Sequence, residues 1–515
     1  MYKLKATVCY YGWLLFAVCI YMSLIGCQTP APLVWESSTA LDISEANKTK
    51  LGLAIAAGAA ANLELSGIYT LGDSRNAFAS RILLAESAEK SLDIQYYIWR
   101  KDITGTLLLK ALLDAANRGV RVRLLLDDMN DNALEPLLLA LHSHNNAQVR
   151  LFNPFTYRRL RIIDYITSFP RVNRRMHNKS FTVDNTVTIV GGRNIGDEYF
   201  GASDDLMFTD VDVLAIGPIV AKVSTDFDRY WASESAYPLN EVVIKAAADS
   251  QLLIDAAEQV KTSAKAANFF EALQNNTSIN ALMQQDLSII WAPTYLISDD
   301  PAKGVAKSEP EASVSARLSK VIGMADSRLT IVSAYFVPTK AGAEALVNLA
   351  NSGVAITVLT NSLEATDVAA VHAGYARYRK QLIKAGVQLF EMRAGEQNTN
   401  MAMFGSSAAS LHAKTFAIDG KRVFIGSFNF DPRSANLNTE LGFVIESTDL
   451  ATKMEASFAT APEHAYRVKL TEQNDLYWLE QVEGKEVRYD SEPNTAWWKR
   501  LGVKILALFP IEWLL

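Results

Sequence analysis

The chain has 515 residues, of which 49% are hydrophobic and 21% charged, so it can bury large cores and is too long for one ordinary domain. Its formal net charge is −6, which argues against a dedicated nucleic-acid binder because such proteins usually carry a basic face. Cys9, Cys19 and Cys27 are the only cysteines, so thiol catalysis and thiolate metal sites are excluded from the body of the protein.

The first 26 residues have the pattern of a secretion signal. Lys3 and Lys5 precede an apolar run, which ends in Leu24-Ile25-Gly26-Cys27. This ending resembles the lipobox of bacterial lipoproteins, which implies that Cys27 is lipidated and becomes the new N-terminus. An uncleaved membrane anchor is the alternative. Both interpretations hold the body at a membrane outside the cytoplasm. With the lipobox, we expect the protein in the bacterial cell envelope, lipid-anchored at the outer or inner membrane and facing the periplasm.

The body of the chain repeats one pattern. After a predicted spacer at residues 27–64, a strand, helix and strand run from Ser91 to Asp127, and the same order returns from Arg328 to Asn361. Such βαβ units imply a parallel sheet covered by helices on both faces. We therefore predict two duplicated α/β domains, at residues 65–284 and 285–493.

Each half also contains the same polar pattern, in which Lys follows a His by two residues, Asp by seven and Asn by seventeen. The two sets are His177, Lys179, Asp184 and Asn194, and His412, Lys414, Asp419 and Asn429. On a strand, His and Lys two residues apart project from the same face. Cleavage of a phosphodiester needs a nucleophile, cations around the phosphate and an acid for the leaving alkoxide, and these side chains supply them without a metal or cofactor.

The paired motifs resemble the HKD motifs of the phospholipase D superfamily. The resemblance implies two duplicated phospholipase-D-like α/β/α sandwich domains that form one shared active site, and a two-step reaction through a phosphohistidine. It assigns the nucleophile to His177 and the general acid/base to His412, although the near symmetry leaves the exchanged roles open. The implied catalytic set is His177, Lys179, Asp184, His412, Lys414 and Asp419.

Other side chains near the motifs receive supporting roles. Lys179, Asn194, Lys414, Asn429 and Ser427 are the candidates for binding the substrate phosphate. Asp184 and Asp419 are expected to fix the local fold rather than to touch phosphate. A reacting histidine needs its far nitrogen held by an acceptor, and Asp210 and Glu440 follow the motifs where family members carry such an acid. The alternative for both acids is a solvated loop position.

Three features favour a phospholipid substrate over a nucleic acid. The first is the lipoprotein signal, and the second is residues 494–515, where Trp and Leu alternate with Lys499, Arg500 and Lys504 as in an amphipathic membrane-associating segment. A terminal helix packed on the body is the alternative for this segment. The third is the mixture of aromatic and basic residues between Phe152 and Arg175, which would also suit a nucleic-acid groove.

Residues 299–303 (Asp-Asp-Pro-Ala-Lys) and the closing residues 510–515 resemble the bacterial cardiolipin synthases of the C type. This resemblance implies transfer of a phosphatidyl unit to phosphatidylglycerol, with phosphatidylethanolamine as a further candidate substrate. Hydrolysis as a phospholipase D is the first alternative, followed by an extracytoplasmic phosphodiesterase or nuclease. A catalytically silent lipid-binding scaffold is disfavoured because both motifs are intact. The sequence leaves open the donor headgroup, the oligomeric state and any accessory protein.

Overall fold

A computed structural model describes residues 38–509, apart from 131, 204–206, 244–248, 277, 395–409 and 460, together with residues 512 and 515. The predicted signal peptide and Cys27 lie outside the described residues. Of the closing residues 510–515, only Glu512 and Leu515 are described.

The first half is built on a nine-stranded mixed sheet. Its strands, with the short β7 outside the sheet, are β1 (Ser66–Leu71), β2 (Ser91–Tyr96), β3 (Arg121–Asp127), β4 (Ala147–Phe152), β5 (Ser180–Val183), β6 (Val187–Gly191), β7 (Phe208–Thr209), β8 (Asp212–Ile216), β9 (Ala236–Pro238) and β10 (Ile290–Ala292). The order across the sheet is β10-β1-β8-β6-β5-β2-β3-β4-β9. The predicted βαβ unit is present, since β2 and β3 are parallel.

The second half forms a ten-stranded sheet with a related centre. Its strands, with the short β15 outside the sheet, are β11 (Thr294–Ser298), β12 (Arg328–Ser333), β13 (Ala355–Asn361), β14 (Gln388–Met392), β15 (Ser410–Leu411), β16 (Lys414–Ile418), β17 (Arg422–Gly426), β18 (Leu441–Glu446), β19 (Ala465–Leu470), β20 (Leu476–Val482) and β21 (Lys485–Tyr489). The order is β11-β18-β17-β16-β12-β13-β14-β19-β20-β21. Here β12 and β13 are the parallel pair that the repeat predicts.

Helices cover the sheets, as the βαβ pattern requires. In the first half they are Ile43–Ala46, Lys50–Ala61, Ser74–Ser87, Ile103–Asn117, Glu135–His142, Arg161–Thr167, Phe169–Val172, Asp197–Phe200, Pro218–Trp231, Leu239–Val242, Ser250–Lys261, Ala264–Asn275 and Ser278–Met283. In the second half they are Val314–Ile322, Thr339–Asn351, Ala369–Ala376, Arg379–Lys384, Pro432–Asn436, Thr448–Ala459, Ala461–His464 and Trp497–Leu506, with 3₁₀ turns at Pro301–Val305 and Pro310–Ala312.

The crossover helix Ile103–Asn117 illustrates how the sequence sets an element. Asp102 caps its N-terminus by accepting a hydrogen bond from the Gly105 amide, and its leucines are buried against the sheet. The four-residue spacing of Leu108 and Leu112 places both on the same buried face. The helix therefore forms where capping and apolar spacing agree.

The two halves share a hydrophobic core. Val190 and Val213 of the first sheet pack in one cluster with Val423, Ile425 and Phe443 of the second sheet. Such a joint core holds the central strands of both halves in fixed relation. The edges from which the two motifs start are thereby fixed relative to each other.

Two predicted boundaries differ from the structure. The chain leaves the first sheet at Ala292 and enters the second at Thr294, so the crossing lies at Pro293 rather than after residue 284. The predicted spacer contains two helices within residues 38–64, and Leu51 of the second helix is fully buried in the first core. Thr49 caps that helix and Leu51 anchors it, which a composition-based boundary does not detect.

No helix among the described residues combines the length and the apolar character needed to cross a bilayer.

Candidate active site

The two histidine motifs lie at the contact between the halves. His177 precedes β5 and His412 precedes β16, at corresponding places in the two sheets. The His177 amide donates to the carbonyl of Thr439 at 2.9 Å, and the His412 amide donates to the carbonyl of Thr209 at 2.8 Å. The backbone of each motif is thus hydrogen-bonded to a short segment of the opposite half, at Thr439 for His177 and at Thr209 for His412.

The acids that face the histidines directly follow Thr209 and Thr439 in these two segments. Nδ1 of His177 lies 2.9 Å from Oε2 of Glu440, and Nδ1 of His412 lies 2.6 Å from Oδ2 of Asp210. Each histidine is therefore paired with an acid from the other half. The carboxylates fix the ring orientations and leave Nε2 as the nitrogen available for a substrate. The alternative of solvated loop acids does not hold, because Asp210 and Glu440 are fully buried.

Both imidazoles line one cavity of about 520 Å³, together with Asn194 and Asn429. The Tyr97 ring lies edge-on to His177 at 4.9 Å, and the Tyr199 ring lies edge-on to His412 at 5.1 Å. These tyrosines were not predicted from the sequence, and neither were Tyr335, Asp367 and Arg433, which also line the cavity. Their signal in the sequence is weak, although Tyr97 directly follows β2, at the edge where the carboxyl ends of parallel strands meet.

The electrostatics of the two histidine–acid pairs differ. Burial raises the pKa of Glu440 to about 7, against the opposing effect of Lys179 and the Ser427 hydroxyl. Burial also acts to raise the pKa of Asp210, but Lys414 and the hydrogen bond with His412 outweigh it and lower the pKa to about 2. Asp210 is therefore ionised at neutral pH, whereas Glu440 titrates close to neutrality.

Both histidines are neutral in the free protein. Burial and then Lys414 lower the pKa of His412 to about 4, with Asp210 acting in the opposite direction. Burial, followed by Lys179 and Lys414, lowers the pKa of His177 well below its usual value. A neutral imidazole is the form that can attack phosphorus. A bound phosphodiester anion would raise both pKa values and would favour a protonated partner.

The two motif lysines are buried beside their histidines. Nζ of Lys179 donates to the carbonyl of His177 at 2.6 Å, and Nζ of Lys414 lies 2.9 Å from Nδ1 of His412. Burial lowers the pKa of Lys179 well below its usual value and that of Lys414 to about 8. Neither lysine is among the side chains that line the cavity. Both lie beside their histidines, where a protonated amine would act on a bound phosphate through its charge.

Asp184 and Asp419 do not line the cavity, which corrects their place in the catalytic set. Asp184 accepts hydrogen bonds from the amides of Glu89, Lys90 and Ser91 at the start of β2. Asp419 likewise accepts from the amides of residues 326–328 at the start of β12. Both have a left-handed backbone, with φ of 50° and 54°. They fix the turns behind the motifs, in line with the expected role in the local fold.

Ser427 is also placed differently from its predicted phosphate-binding role. Its hydroxyl donates to Oε2 of Glu440 and accepts from the amide of Leu441, and the side chain is fully buried. The Ser427 hydroxyl therefore acts both as a donor and as an acceptor within the protein. Ser427 supports the orienting acid instead of contacting the cavity.

The side chains of Asn194 and Asn429 differ in their hydrogen bonds within the protein. Oδ1 of Asn194 accepts from the amide of Ile98, and its Nδ2 donates to the Tyr199 hydroxyl at 3.0 Å. Oδ1 of Asn429 is buried and has no hydrogen-bond partner within the described part of the chain. Asn429 therefore has an unused acceptor rather than an unused donor for phosphate, although its side chain lines the cavity.

Most of the arginines that precede His177 form ion pairs or hydrogen bonds within the protein. Arg158 pairs with Asp128 and Glu135, and Arg175 lies against Asp127. Arg161, Arg171 and Arg174 donate to backbone carbonyls. These five guanidinium groups bind acceptors of the protein itself, so they give little support to the use of this stretch as evidence for a phospholipid or nucleic-acid substrate.

No cluster of three or more His, Cys, Asp or Glu side chains suited to a metal ion is found in the described ranges.

The geometry agrees with a match to known proteins. A family model described as "Cardiolipin synthase, PLD-like domain" matches residues 82–231 and again residues 318–461. The chain belongs to this family. The predicted superfamily, the duplicated α/β fold and a phospholipase-D type of enzyme are thereby confirmed.

Relatives of this PLD-like family are similar over most of the chain. Cardiolipin synthase C of Escherichia coli (strain K12) is 49% identical over 454 residues, which cover 87% of this chain and 96% of that protein. An uncharacterized protein of Helicobacter pylori (strain ATCC 700392 / 26695) is 31% identical over 440 residues, covering 85% of this chain and 87% of its own.

A solved structure shows the same fold at low sequence identity. Phosphatidylserine synthase of Haemophilus influenzae Rd KW20 superposes with a TM-score of 0.54 at 14% identity, covering 82% of this chain and 92% of that one.

Proposed function

We propose that this protein is a cardiolipin synthase, which transfers a phosphatidyl group from one phospholipid to the glycerol headgroup of phosphatidylglycerol. The observation that carries the proposal is the single cavity lined by His177 and His412, each held by an acid of the opposite half. The 49% identity to Cardiolipin synthase C of Escherichia coli supports this substrate class.

The first chemical step is attack on phosphorus. Nε2 of His177 forms a bond to the phosphorus of the donor lipid, and the bond between phosphorus and the headgroup oxygen breaks. His412, protonated in the presence of the anionic substrate, gives its proton to that oxygen. Lys179 and Lys414, buried beside the two histidines, stabilise the charge on the non-bridging oxygens in their protonated form.

The second step reverses the roles. A hydroxyl of phosphatidylglycerol attacks the phosphorus of the phosphohistidine, its proton passes to His412, and the bond between Nε2 and phosphorus breaks. The products are cardiolipin and the free headgroup alcohol. Water in place of the lipid hydroxyl would give phosphatidic acid by the same chemistry.

The surface around the cavity supports a membrane-bound substrate. Helix Trp497–Leu506 exposes Trp497 and Trp498 by 69% and 64%, with Lys499, Arg500 and Lys504 on the same helix. It packs on the helix Ala369–Ala376, whose Val371 lines the cavity. Exposed aromatic and cationic side chains together suit the headgroup region of an anionic bilayer.

A second exposed apolar element comes from the first half. Ile162 and Ile166 of the helix Arg161–Thr167 are 62% and 66% exposed. The following helix ends at Asn173, which accepts from Arg433 at the cavity. We therefore propose that both helices face the bilayer, with the cavity mouth between them. The lipoprotein anchor at Cys27 would keep the body at the same membrane on the periplasmic side.

The deciding experiment is mass spectrometry of lipid products from vesicles of phosphatidylglycerol with and without phosphatidylethanolamine. Wild type is compared with His177→Ala and His412→Ala, and His144→Ala, whose side chain lies outside the cavity, is the control. Cardiolipin from wild type and His144→Ala alone supports the proposal. Phosphatidic acid without cardiolipin would make the protein a phospholipase D, and turnover of DNA alone would make it a nuclease.

Surface variants test the membrane-facing helices. Trp498→Ser/Leu501→Ser and Ile162→Ser/Ile166→Ser should each lower turnover in vesicles about tenfold, because apolar contact with the bilayer is lost. Turnover of short-chain, monomeric phospholipids should stay at the wild-type level. Leu53→Ser removes a leucine that is 62% exposed elsewhere and should change neither rate. Equal losses with both substrates would contradict this orientation.

A further inference from the structure

The loop that follows β11 in the second half contributes a buried ion pair directly behind Glu440. Nζ of Lys303 lies 2.9 Å from Oδ2 of Asp299 and also donates to the carbonyl of Ser434 at 3.0 Å. Asp299 is 1% exposed and Lys303 is 4% exposed. Burying two charges is costly unless they serve many partners, so the number of contacts they make is informative.

Asp299 forms hydrogen bonds to both the backbone amide and the backbone carbonyl of Glu440. Its Oδ2 accepts from the Glu440 amide at 2.9 Å, and its own amide donates to the Glu440 carbonyl at 3.0 Å. The backbone of the neighbouring Thr439 is hydrogen-bonded to the backbones of Arg175 and His177. Glu440 is therefore held between Asp299 and the segment before β5 that carries His177, the histidine it faces.

The first half holds its orienting acid with a different ion pair. Arg193 donates to the carbonyl of Asp210, and its Nη1 lies 3.3 Å from Oδ2 of Asp212. Phe428 and Gly442 stand at the corresponding positions of the second half, since they hold the same places relative to β17 and β18. The second half thus lacks a counterpart of the Arg193–Asp212 pair, and the loop after its first strand, β11, supplies Lys303 and Asp299 instead.

We propose that Asp299 and Lys303 are positioning residues that act through Glu440 on His177, in the role that Arg193 and Asp212 have for Asp210 and His412. The proposal rests on the proposed phosphatidyl transfer only for the identity of the reaction. It concerns which groups set the orientation and charge of the histidine–acid pair.

The two members of the pair act on the charge of Glu440 in opposite directions. Lys303 lowers the pKa of Glu440, which burial raises to about 7, and the nearby carboxylate of Asp299 favours the protonated form. The other charged groups that face Glu440 are His177, Lys179, Lys414 and Asp431. An ionised Glu440 accepts the hydrogen bond from Nδ1–H of His177 and so keeps Nε2 free of a proton, whereas a protonated Glu440 can donate to Nδ1. Turnover should therefore rise with pH as Glu440 ionises.

The test is the pH profile of kcat/KM for Lys303→Met and Asp299→Asn in the full chain. Total headgroup release from phosphatidylglycerol counts transfer and hydrolysis together, and bis(p-nitrophenyl) phosphate gives a lipid-independent readout. Lys303→Met should move the acid limb of the profile to higher pH by about half a pH unit to one unit. Asp299→Asn should move it to lower pH. Both should lower the maximal rate about 10–100-fold, as loss of supporting contacts does.

Matched variants separate positioning from a general loss of folding. Lys303→Arg keeps the charge and should restore the acid limb to its wild-type position. Lys307→Met removes an exposed lysine that pairs with Glu234 at 2.8 Å and should leave the profile unchanged. If Lys303→Met is not recovered folded, the direction of the shift in Asp299→Asn decides the question.

Acid limbs at the wild-type pH in both variants, or shifts in the same direction, would overturn the proposal. Headgroup release without cardiolipin in the wild type would overturn the proposed acceptor and leave the pH test intact. The two failures are therefore distinguishable.

Discussion

Asp210 and Glu440 face their histidines in the same way, but the residues around them differ. Asp210 lies against Gly192, where an added Cβ would approach its Oδ1 to 2.3 Å, whereas Glu440 accepts from Ser427 at the corresponding position. The shorter acid is ionised and the longer acid titrates near pH 7. The duplication thus keeps the backbone of the two half-sites and changes their electrostatics, which suits two histidines that do different jobs.

The largest expected effect separates the two histidines. His177→Ala should lower turnover at least about 10⁴-fold, because the covalent route is lost. His412→Ala should lower it about 10²–10⁴-fold, because only proton transfer is lost. With a radiolabelled donor carrying an activated leaving group, His412→Ala should accumulate a labelled phosphoenzyme and His177→Ala should not. The reverse pattern would mean that the roles are exchanged.

Replacement of the orienting acids should come next in size. Asp210→Asn and Glu440→Gln should each lower kcat about 10²–10⁴-fold, because the amide no longer fixes the imidazole tautomer. The pH profiles should differ between them. Glu440→Gln should lose the acid limb near pH 7, since Glu440 with its raised pKa protonates there as the pH falls, and Asp210→Asn should retain it. An unchanged limb in Glu440→Gln would assign it to another group.

Exchanging the residues that differ between the half-sites sharpens the comparison. Ser427→Gly removes a hydrogen bond that favours ionised Glu440, so the pKa of Glu440 should rise and the acid limb should move upward by about half a pH unit to one unit. Gly192→Ser should push Asp210 away from His412 and lower turnover at every pH, because its Cβ has no room. Rates measured from pH 5 to 9 distinguish a shifted profile from a uniform loss.

The smallest effect on chemistry is expected at the motif aspartates. Asp184→Ala and Asp419→Ala should each lower the free energy of unfolding by about 1–3 kcal/mol, because three backbone amides lose their acceptor. The loss should be larger for Asp184, which is fully buried. Turnover per folded molecule should stay within about threefold of wild type. Urea unfolding gives the stability, and a fall in kcat at unchanged stability would contradict the turn-fixing role.

The sequence by itself determined the duplicated fold and the family. The apolar runs of Ser91–Asp127 and Arg328–Asn361 are local patterns, and the spacing of His, Lys, Asp and Asn is repeated in both halves. Secondary structure and motif spacing depend on neighbours along the chain, so they can be derived before any packing is known. The histidines and lysines of the two motifs were predicted as site residues for the same reason.

Only the tertiary structure decided which side chains meet across the halves. His177 pairs with Glu440 and His412 with Asp210, over sequence separations of 263 and 202 residues. Ser427 turned toward Glu440, and the arginines before His177 were used by buried acceptors. Such pairings follow from how two sheets pack on a shared core, and local periodicity carries no information about them.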